Sequence, residues 1–300
     1  MASASDNTRG AFLMVASMTA FTINDAFLKS LSDALPLFQA LFLRGIASTL
    51  VLWVLFRRQG GRLPTEPRDR RLTLIRTGAE IAAAYFFLTA LFNMPIANAT
   101  AILQTLPLAV TLAGALLLKE TVGWRRLFAI GVGFFGVILI VQPGGAGFTI
   151  YSVYCLAAVV AVTIRDIATR GLGGEVSSLG VAALGAAGVT LFAGVASLTE
   201  TWAPITPVAA GQLIGSMVFI VAAYVLSVMV MRVGEIGVIA PFRYTSLVVA
   251  LVIGYVVFGE WPDSLSLVGA GLVVGAGIFT LLREAGMRRR ARGRTGSTDG

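Results

Sequence analysis

The chain carries the segment TINDAFLKSL at residues 22–31, and a related segment, TIRDIATRGL, follows 141 positions later at residues 163–172. A second block recurs 140 positions later, in the pairs Ile96 and Ile236, Thr105 and Thr245, Gly114 and Gly254, Glu120 and Glu260, Leu127 and Leu267, Gly131 and Gly271, and Ile138 and Ile278. A single loop deletion would account for the difference of one residue between the blocks. Two blocks at nearly one offset indicate that the chain consists of two related halves.

The composition is typical of a polytopic membrane protein. Of the 300 residues, 57% are hydrophobic and only 13% are charged, whereas a soluble domain has about 25% charged residues. A bilayer core requires about 20 mostly apolar residues per helix. On that scale the sequence predicts ten spans, at residues 10–28, 36–56, 72–92, 96–118, 123–141, 149–169, 178–198, 207–230, 236–258 and 264–282.

The repeat and the spans together define the predicted architecture. Five spans precede the junction between the halves, and because five is odd, the second half must enter the membrane from the opposite face. We therefore predict an all-α integral membrane protein with ten transmembrane helices in two inverted five-helix repeats. The predicted parts are a first repeat at 1–142, a second, inverted repeat at 143–285, and a basic cytoplasmic tail at 286–300.

Lysine and arginine predict the orientation, because cytoplasmic loops retain these residues. With the N-terminus inside, all of the 23 basic residues except Lys29, Arg44 and Arg243 lie on the cytoplasmic side or close to it. Both termini are therefore predicted to be cytoplasmic, in a bacterial inner membrane. The high pI of about 10.4 reflects this topology and an affinity for anionic lipid headgroups, and we expect no nucleic acid partner.

Several classes of chemistry are excluded by what the sequence lacks. There is no histidine, so a histidine proton relay or an imidazole metal site cannot exist. The single cysteine, Cys155, leaves no intrachain disulfide. There is no phosphate-binding Gly-x4-Gly-Lys-Ser/Thr loop, no nucleophile elbow and no metal-ligand cluster. We therefore expect no enzyme activity, no catalytic residues, no cofactor and no metal.

Charged residues within spans are functional candidates, because each costs several kcal/mol unless it is paired or hydrated. They divide into an outer cluster with Asp25 and Arg44 and an inner cluster with Glu80 and Arg243. One interpretation is that Asp25–Arg44 and Glu80–Arg243 are structural ion pairs. The other is that they line two vestibules as gates or substrate contacts. Arg165 and Asp166 are expected to form a solvated helix end.

Uncharged candidates lie between the two clusters. Binding pockets are mostly apolar with a few well-placed polar groups. The polar and aromatic side chains that fit this description are Asn24, Gln39, Tyr85, Asn98, Gln104, Tyr224 and Tyr244, and Arg165 is added to them as a cavity or gate residue. For each of these residues the alternative role is an interhelical hydrogen bond.

Proline and glycine mark two further features. Pro107 and Pro241 interrupt the fourth and ninth predicted spans, which the repeat makes equivalent, and we predict hinges there. The fifth and tenth spans are rich in small residues that allow close helix packing, which predicts a structural seam or a dimer face. These residues are Gly131, Gly133, Gly136, Gly269, Gly271, Gly275 and Gly277.

The whole pattern resembles the drug/metabolite transporter superfamily, and within it the EamA-type transporters, over about residues 10–282. The most specific matching pieces are Asn24-Asp25 with Lys29, Phe42 with Arg44, Pro107 followed by Lys119-Glu120, the segment Ala240-Pro241-Phe242-Arg243-Tyr244, and Gly259-Glu260. The resemblance implies a central cavity formed by spans 1–4 and 6–9, with spans 5 and 10 outside it. Substrates in the superfamily include amino acids, purines, riboflavin, S-adenosylmethionine and toxic cations.

Three functional hypotheses are consistent with the sequence. The leading hypothesis is a secondary transporter that exports amino acids or related amphipathic metabolites by alternating access, with Arg44 and Arg243 binding a carboxylate or gating, and Glu80 and Asp25 as their partners. The second is an importer of a cofactor-like metabolite such as riboflavin or S-adenosylmethionine. The third is a membrane scaffold or receptor without transport. The expected partners are a small-molecule substrate and the lipid bilayer, and the expected state is a monomer or weak homodimer.

Overall fold

The computed structural model describes residues 4–117, 123–145, 148–230, 233 and 236–295. Its helices are α1 (Ala4–Ser30), α2 (Leu37–Gln59), α3 (Pro67–Asn93), α4 (Ile96–Leu103), α5 (Leu106–Leu117), α6 (Trp124–Val141), α7 (Ile150–Arg170), α8 (Ser178–Ala196), α9 (Pro207–Val230), α10 (Ile236–Ile239), α11 (Thr245–Phe258) and α12 (Ser264–Thr295). Within the described residues, ten segments are long and apolar enough to cross a membrane. The predicted all-α membrane fold is confirmed. The Lys119-Glu120 pair lies outside the described residues.

Helices α4 and α5 together form one span, Ile96–Leu117, and α11 belongs to the span Ala240–Phe258. The span Ser178–Thr199 combines α8 with a 3-10 turn, Ser197–Thr199. Each of the remaining spans lies in a single helix, and every span overlaps the segment predicted from the apolar runs. Some helices extend past the predicted span, because polar residues at a membrane surface can continue a helix once it has formed. The last helix is the clearest case: its apolar part is Ser264–Arg283, whereas the helix continues to Thr295.

The helices pack into two compact units, and each unit draws on both halves of the sequence. Unit I contains Ile23–Ala99 and Thr149–Val221. Unit II contains Met1–Thr22, Thr100–Phe148 and Ala222–Gly300. Packing therefore does not follow the order of the chain.

In unit I, α2 packs along α8, and α3 packs along α7 and α8. The α2–α8 pair is held close by small residues. Gly45 lies directly against the Thr190 side chain, and Gly194 lies against the ring of Phe42. The Thr49 and Thr190 hydroxyls are joined by a hydrogen bond of 3.0 Å. Thr49 and Thr190 are 141 positions apart, which is the offset of the first repeated block, so the predicted repeat would make them equivalent.

In unit II, α6 packs along α12, and the contact depends on some of the glycines predicted to form a seam. A Cβ on Gly136 would lie 2.6 Å from the carbonyl oxygen of Gly269, and Gly133 lies against Leu108. A Cβ on Gly131 or Gly271 would meet nothing within 4 Å. The small residues therefore serve helix packing on one face of each helix only.

Lys29 has a structural partner at the end of another helix. Its Nζ donates to the carbonyl oxygens of Met94 at 2.6 Å and Leu91 at 3.3 Å. These carbonyls belong to the last turn of α3 and the residue after it, where the helix dipole favours a cation. The ammonium group is buried, with 8% of the residue exposed, so Lys29 ties α1 to the end of α3.

The start of α12 is capped by Asp263. Its carboxylate accepts from the Ser266 amide at 3.0 Å, from the Ser266 hydroxyl at 2.8 Å and from the Gln142 side-chain amide at 2.9 Å. Partial burial alone would raise the pKa of Asp263, but these hydrogen bonds outweigh burial and hold the pKa of this carboxyl below its usual value.

We expect Asp263→Ala to lower the free energy of unfolding by about 1 kcal/mol, as for other helix N-caps. Because the pKa of Asp263 is lower in the folded protein, its contribution is fully present above the unfolded pKa of about 3.9 and is lost as the pH falls through the folded pKa. Thermal unfolding of both proteins in detergent from pH 7 to pH 3 measures this. Asp33→Ala, an exposed position between α1 and α2, is the control, and a difference that does not shrink in acid would contradict the assignment.

Candidate substrate-binding site

A buried polar network in unit I is centred on Asn24, and we call it the Asn24 cluster (Asn24, Asp25, Arg44 and Ser216). The Asn24 Oδ1 accepts from the Ser216 hydroxyl at 2.8 Å and from Arg44 Nη1 at 3.4 Å. Its Nδ2 donates to Asp25 Oδ1 at 2.9 Å. Only 1% of Asn24 is exposed. The amide therefore links a guanidinium on α2 to a carboxylate on α1.

The Asn24 cluster lies well inside the membrane-spanning segments. Asn24 is six residues from the end of α1 at Ser30, and Arg44 is seven residues after the start of α2 at Leu37. At 1.5 Å per residue, both side chains are attached about 10 Å from the helix ends. An arginine and an aspartate at this depth are costly to place, so their presence favours a functional role. A guanidinium can bind a carboxylate in two-point fashion, and a carboxylate can bind an ammonium group.

A second cluster in unit I consists of four charged side chains, and we call it the Glu80 cluster (Arg76, Glu80, Arg165 and Asp166). The Glu80 carboxylate forms an ion pair with Arg76, with nitrogen and oxygen 3.2 Å apart, and accepts a hydrogen bond from Arg165 at 3.3 Å. Arg165 also pairs with Asp166 at 2.9 Å. The side chains are 12% to 39% exposed. This corrects the expectation of a solvated helix end for Arg165, because α3 packs along α7 and brings Glu80 to its guanidinium, whereas the Asp166 side chain is 39% exposed.

Two aspects of the Glu80 cluster bear on the sequence predictions. The partner expected for Glu80 was Arg243, which belongs to unit II, so that pair stays a prediction. Arg76 was not singled out from the sequence, although its spacing of four residues from Glu80 on one helix is the spacing of a typical ion pair.

Tyr85 lies in a group of aromatic side chains from four helices of unit I, α2, α3, α7 and α8. Its ring is stacked on Phe38 with the centroids 5.9 Å apart, and it lies 6.3 Å from the ring of Tyr154. Phe86 and Phe192 contact the same group. Only Tyr85 was predicted as a site residue, because the others are ordinary apolar residues when each helix is considered alone.

Gln39 forms hydrogen bonds with the segment between α8 and α9. Its side-chain amide donates to the Ala203 carbonyl and accepts from the Ala203 amide, both at 2.9 Å. The Glu200 carboxylate accepts from the backbone amides of Phe38 and Gln39 at 3.1 and 3.2 Å. A carboxylate at a helix N-terminus accepts hydrogen bonds from the unpaired backbone amides of the first turn, and its negative charge interacts favourably with the positive end of the helix dipole. Glu200 was not predicted, since an acidic residue in a loop gives no signal of the helix that it caps.

In unit II, two spans are interrupted at equivalent places. The fourth span breaks between α4 and α5 at Gln104 and Thr105, and the ninth passes through a 3-10 turn, Ala240–Tyr244, before α11. The Gln104 amide joins the breaks, donating to the Arg243 carbonyl at 3.0 Å and to the Ser246 hydroxyl at 2.8 Å. Discontinuous helices of this kind often border substrate sites in transporters.

The remaining predicted residues are also placed in these elements. Pro107 is the second residue of α5 and Pro241 lies in the 3-10 turn, so both predicted hinges coincide with the breaks. The Tyr244 hydroxyl lies against Gly277 of α12, where a Cβ would otherwise be. Tyr224 meets the edge of Phe21 with the ring centroids 5.6 Å apart, and Asn98 is half-buried on α4. Contact of these residues with a substrate stays a prediction.

Curated proteins of similar sequence are transporters. An S-adenosylmethionine uptake transporter of Rickettsia prowazekii (strain Madrid E) is 24% identical over 89% of this chain and 90% of its own. A pseudopaline exporter, CntI, of Pseudomonas aeruginosa (strain UCBPP-PA14) is 26% identical over 88% and 93%. A riboflavin transporter of Brucella anthropi (strain ATCC 49188) is 25% identical over 73% and 79%. One crystal structure of a protein with 18% identity matches with a TM-score of 0.63 over 94% of this chain and 99% of that one, which supports the fold alone.

Ten membrane-spanning helices with charged groups at membrane depth, together with these relatives, define a multi-pass membrane transporter of small molecules. The relatives are transporters and not enzymes, in agreement with the expectation from the sequence. Residues 8–142 match the model of the EamA-like transporter family. The resemblance to EamA-type transporters that was inferred from the motifs is confirmed.

Proposed function

We propose that the protein exports an amino acid or a related amphipathic metabolite across the bacterial inner membrane by alternating access. The observation that carries this proposal is the Asn24 cluster. It holds a cation and an anion on either side of one buried amide. A free amino acid has a carboxylate and an ammonium group close together, so the Asn24 cluster offers complementary charges for both ends.

Arg44 of the Asn24 cluster is a suitable binding group for a substrate carboxylate. The Arg44 guanidinium donates to Asn24 Oδ1 at 3.4 Å, and Asn24 Nδ2 donates to Asp25 at 2.9 Å. A substrate carboxylate could accept two parallel hydrogen bonds from the Arg44 guanidinium, an arrangement that adds both energy and geometric specificity. A substrate that makes this contact in one conformation and not in the other shifts the equilibrium toward the first conformation, as alternating access requires.

Helix contacts support two inverted repeats at 1–142 and 143–285. Helices α2 and α8 are the second span of each half, α6 and α12 are the fifth, and each pair is in contact. A contact between equivalent elements is what a two-fold axis produces, and the Thr49–Thr190 hydrogen bond joins equivalent residues. With the arginine-rich loops inside, we propose that both termini are cytoplasmic.

A second candidate function is import of a cofactor-like metabolite, and the relatives favour it. One of them is an S-adenosylmethionine uptake transporter. That molecule carries the same amino acid charges and adds a sulfonium cation and an adenine ring. Aromatic faces bind cations and planar rings, and the Phe38–Tyr85 stack in unit I provides such faces. The Asn24 cluster suits either candidate.

We expect Arg44→Ala and Arg243→Ala to reduce the initial rate of transport at least about tenfold in proteoliposomes, since a lost charge-assisted contact is worth about 1.5 to 3 kcal/mol. Arg57→Ala is the control, because Arg57 is exposed in the last turn of α2, and its rate should remain that of the unmodified protein. Unchanged transport in both test variants would refute the assignment.

The same proteoliposomes separate the two functions by their substrates. Labelled amino acids, S-adenosylmethionine and riboflavin are loaded in turn on one side, with the orientation of the inserted protein measured by protease access. Selective transport of amino acids supports the first candidate, and selective transport of S-adenosylmethionine or riboflavin supports the second. In cells, resistance to excess amino acid indicates export, and rescue of an auxotroph indicates import.

A further inference from the structure

Unit II has a groove between α6 and α12 that faces outward from the helix pair. Its volume is about 390 Å³, and its apolar lining includes Trp124, Phe128, Val132, Ala276 and Phe279. Trp124 and Phe128 are 73% and 70% exposed. All of these residues belong to spans that cross the membrane. The groove is therefore a lipid-facing cleft of a size that holds an extended hydrocarbon chain.

One end of the groove is basic. Arg125 is among its lining residues, and its guanidinium lies 5.3 Å from the centre of the Trp124 ring. Helices α6 and α12 run antiparallel, since Gly136 meets Gly269 and Gly133 meets Ala276. Arg283, one turn after Phe279 on α12, therefore lies toward the same end. The sequence continues with a run of arginines at 288–294.

We propose that this groove binds an anionic phospholipid, with an acyl chain against Phe128 and Phe279 and the phosphate beside Arg125. Charge complementarity favours this occupant: basic clefts between membrane helices bind acidic lipid headgroups, and tryptophan is typical of the headgroup level. A zwitterionic lipid would fill the apolar part equally well but would gain less from Arg125. The proposal is independent of the transported substrate, because it concerns only α6 and α12.

The test is native mass spectrometry of the full-length protein after exchange into mixed detergent with dioleoylphosphatidylglycerol or dioleoylphosphatidylcholine. We expect the unmodified protein to retain phosphatidylglycerol preferentially. Arg125→Gln should weaken that retention roughly tenfold, as for one charge-assisted contact. Val132→Trp should reduce it by filling the groove while leaving the charge in place.

Arg57→Gln is the matched control, because Arg57 also lies over a tryptophan, with its guanidinium 5.9 Å from the Trp53 ring. It should retain the lipid as the unmodified protein does. Equal loss in Arg125→Gln and Arg57→Gln would overturn the proposal in favour of unspecific charge attraction. Equal retention of the two lipids would overturn it, as would loss of the preference on adding inorganic phosphate alone. A dimer that Val132→Trp dissociates would assign the groove to a second copy of the chain instead.

Discussion

Glu80→Gln is expected to lower the free energy of unfolding by about 3 kcal/mol, the lower part of the range for breaking a buried ion pair. Glu80 is the acidic partner of both Arg76 and Arg165, at 3.2 and 3.3 Å, and its side chain is only 20% exposed. Neutralising it leaves two guanidinium groups close together with Asp166 as the remaining carboxylate of the cluster. Unfolding in detergent measured by tryptophan fluorescence would detect the loss.

The control for Glu80→Gln is Glu175→Gln, which also removes one carboxylate from a pair with arginine. Glu175 and Arg62 are 3.9 Å apart, with side chains 90% and 80% exposed, and exposed pairs contribute little. We expect no measurable change there. If both variants lost stability equally, the depth of the Glu80 cluster would not be what makes it important.

Gly136→Leu is expected to separate α6 from α12 and to lower the free energy of unfolding by about 3 kcal/mol, at the upper end of the usual range for overpacking. The new Cβ would lie 2.6 Å from the Gly269 carbonyl oxygen and 3.0 Å from the Leu272 Cβ. Backbone atoms cannot move aside as the end of a flexible side chain can. With about 2 to 4 °C per kcal/mol for a chain of this size, the unfolding midpoint should fall by roughly 10 °C.

Gly131→Leu on the same helix is the matched control. A Cβ there meets nothing within 4 Å, and leucine has the higher helix propensity. Its midpoint should be unchanged or slightly raised. A comparable fall in both variants would mean that loss of glycine itself, and not the close contact, weakens α6.

The fold was largely predictable from the sequence, because each span is a long apolar run and its length is set by the bilayer. The fourth and ninth spans show the limit of that reading. Pro107 and Pro241 indicated that both spans are interrupted. The hydrogen bond that joins the two interruptions could not be predicted, because it connects Gln104 to the Arg243 carbonyl, 139 positions away. Periodicity within one helix contains no information about such a contact.

The candidate site was predictable as a set of residues and much less so as a set of partners. Asn24, Asp25 and Arg44 were all identified from their position within spans, and the structure brings them together. Ser216, the fourth member, is a small polar residue in an apolar helix and gave no signal. The partner of Arg165 was missed for a different reason: pairing depends on how α7 is rotated against α3, and the charges alone do not specify that angle.

The seam glycines also could be predicted as a set, but their individual contacts could not. The sequence identified small residues in the fifth and tenth spans, which is enough to predict close packing. It could not distinguish Gly136, which touches the other helix, from Gly131, which does not. Two residues five positions apart on a helix point in different directions, and only the position of the neighbouring helix decides which of them is constrained.

The interleaving of the two halves within each unit has a consequence for biosynthesis. Helix α3 leaves the ribosome long before α7, its packing partner, has been translated, so Glu80 must enter the bilayer without Arg165. Arg76, four residues earlier on the same helix, can neutralise it during that interval. The Arg76–Glu80 pair would thus lower the cost of keeping α3 in the membrane until α7 has been synthesised and Arg165 can pair with Glu80.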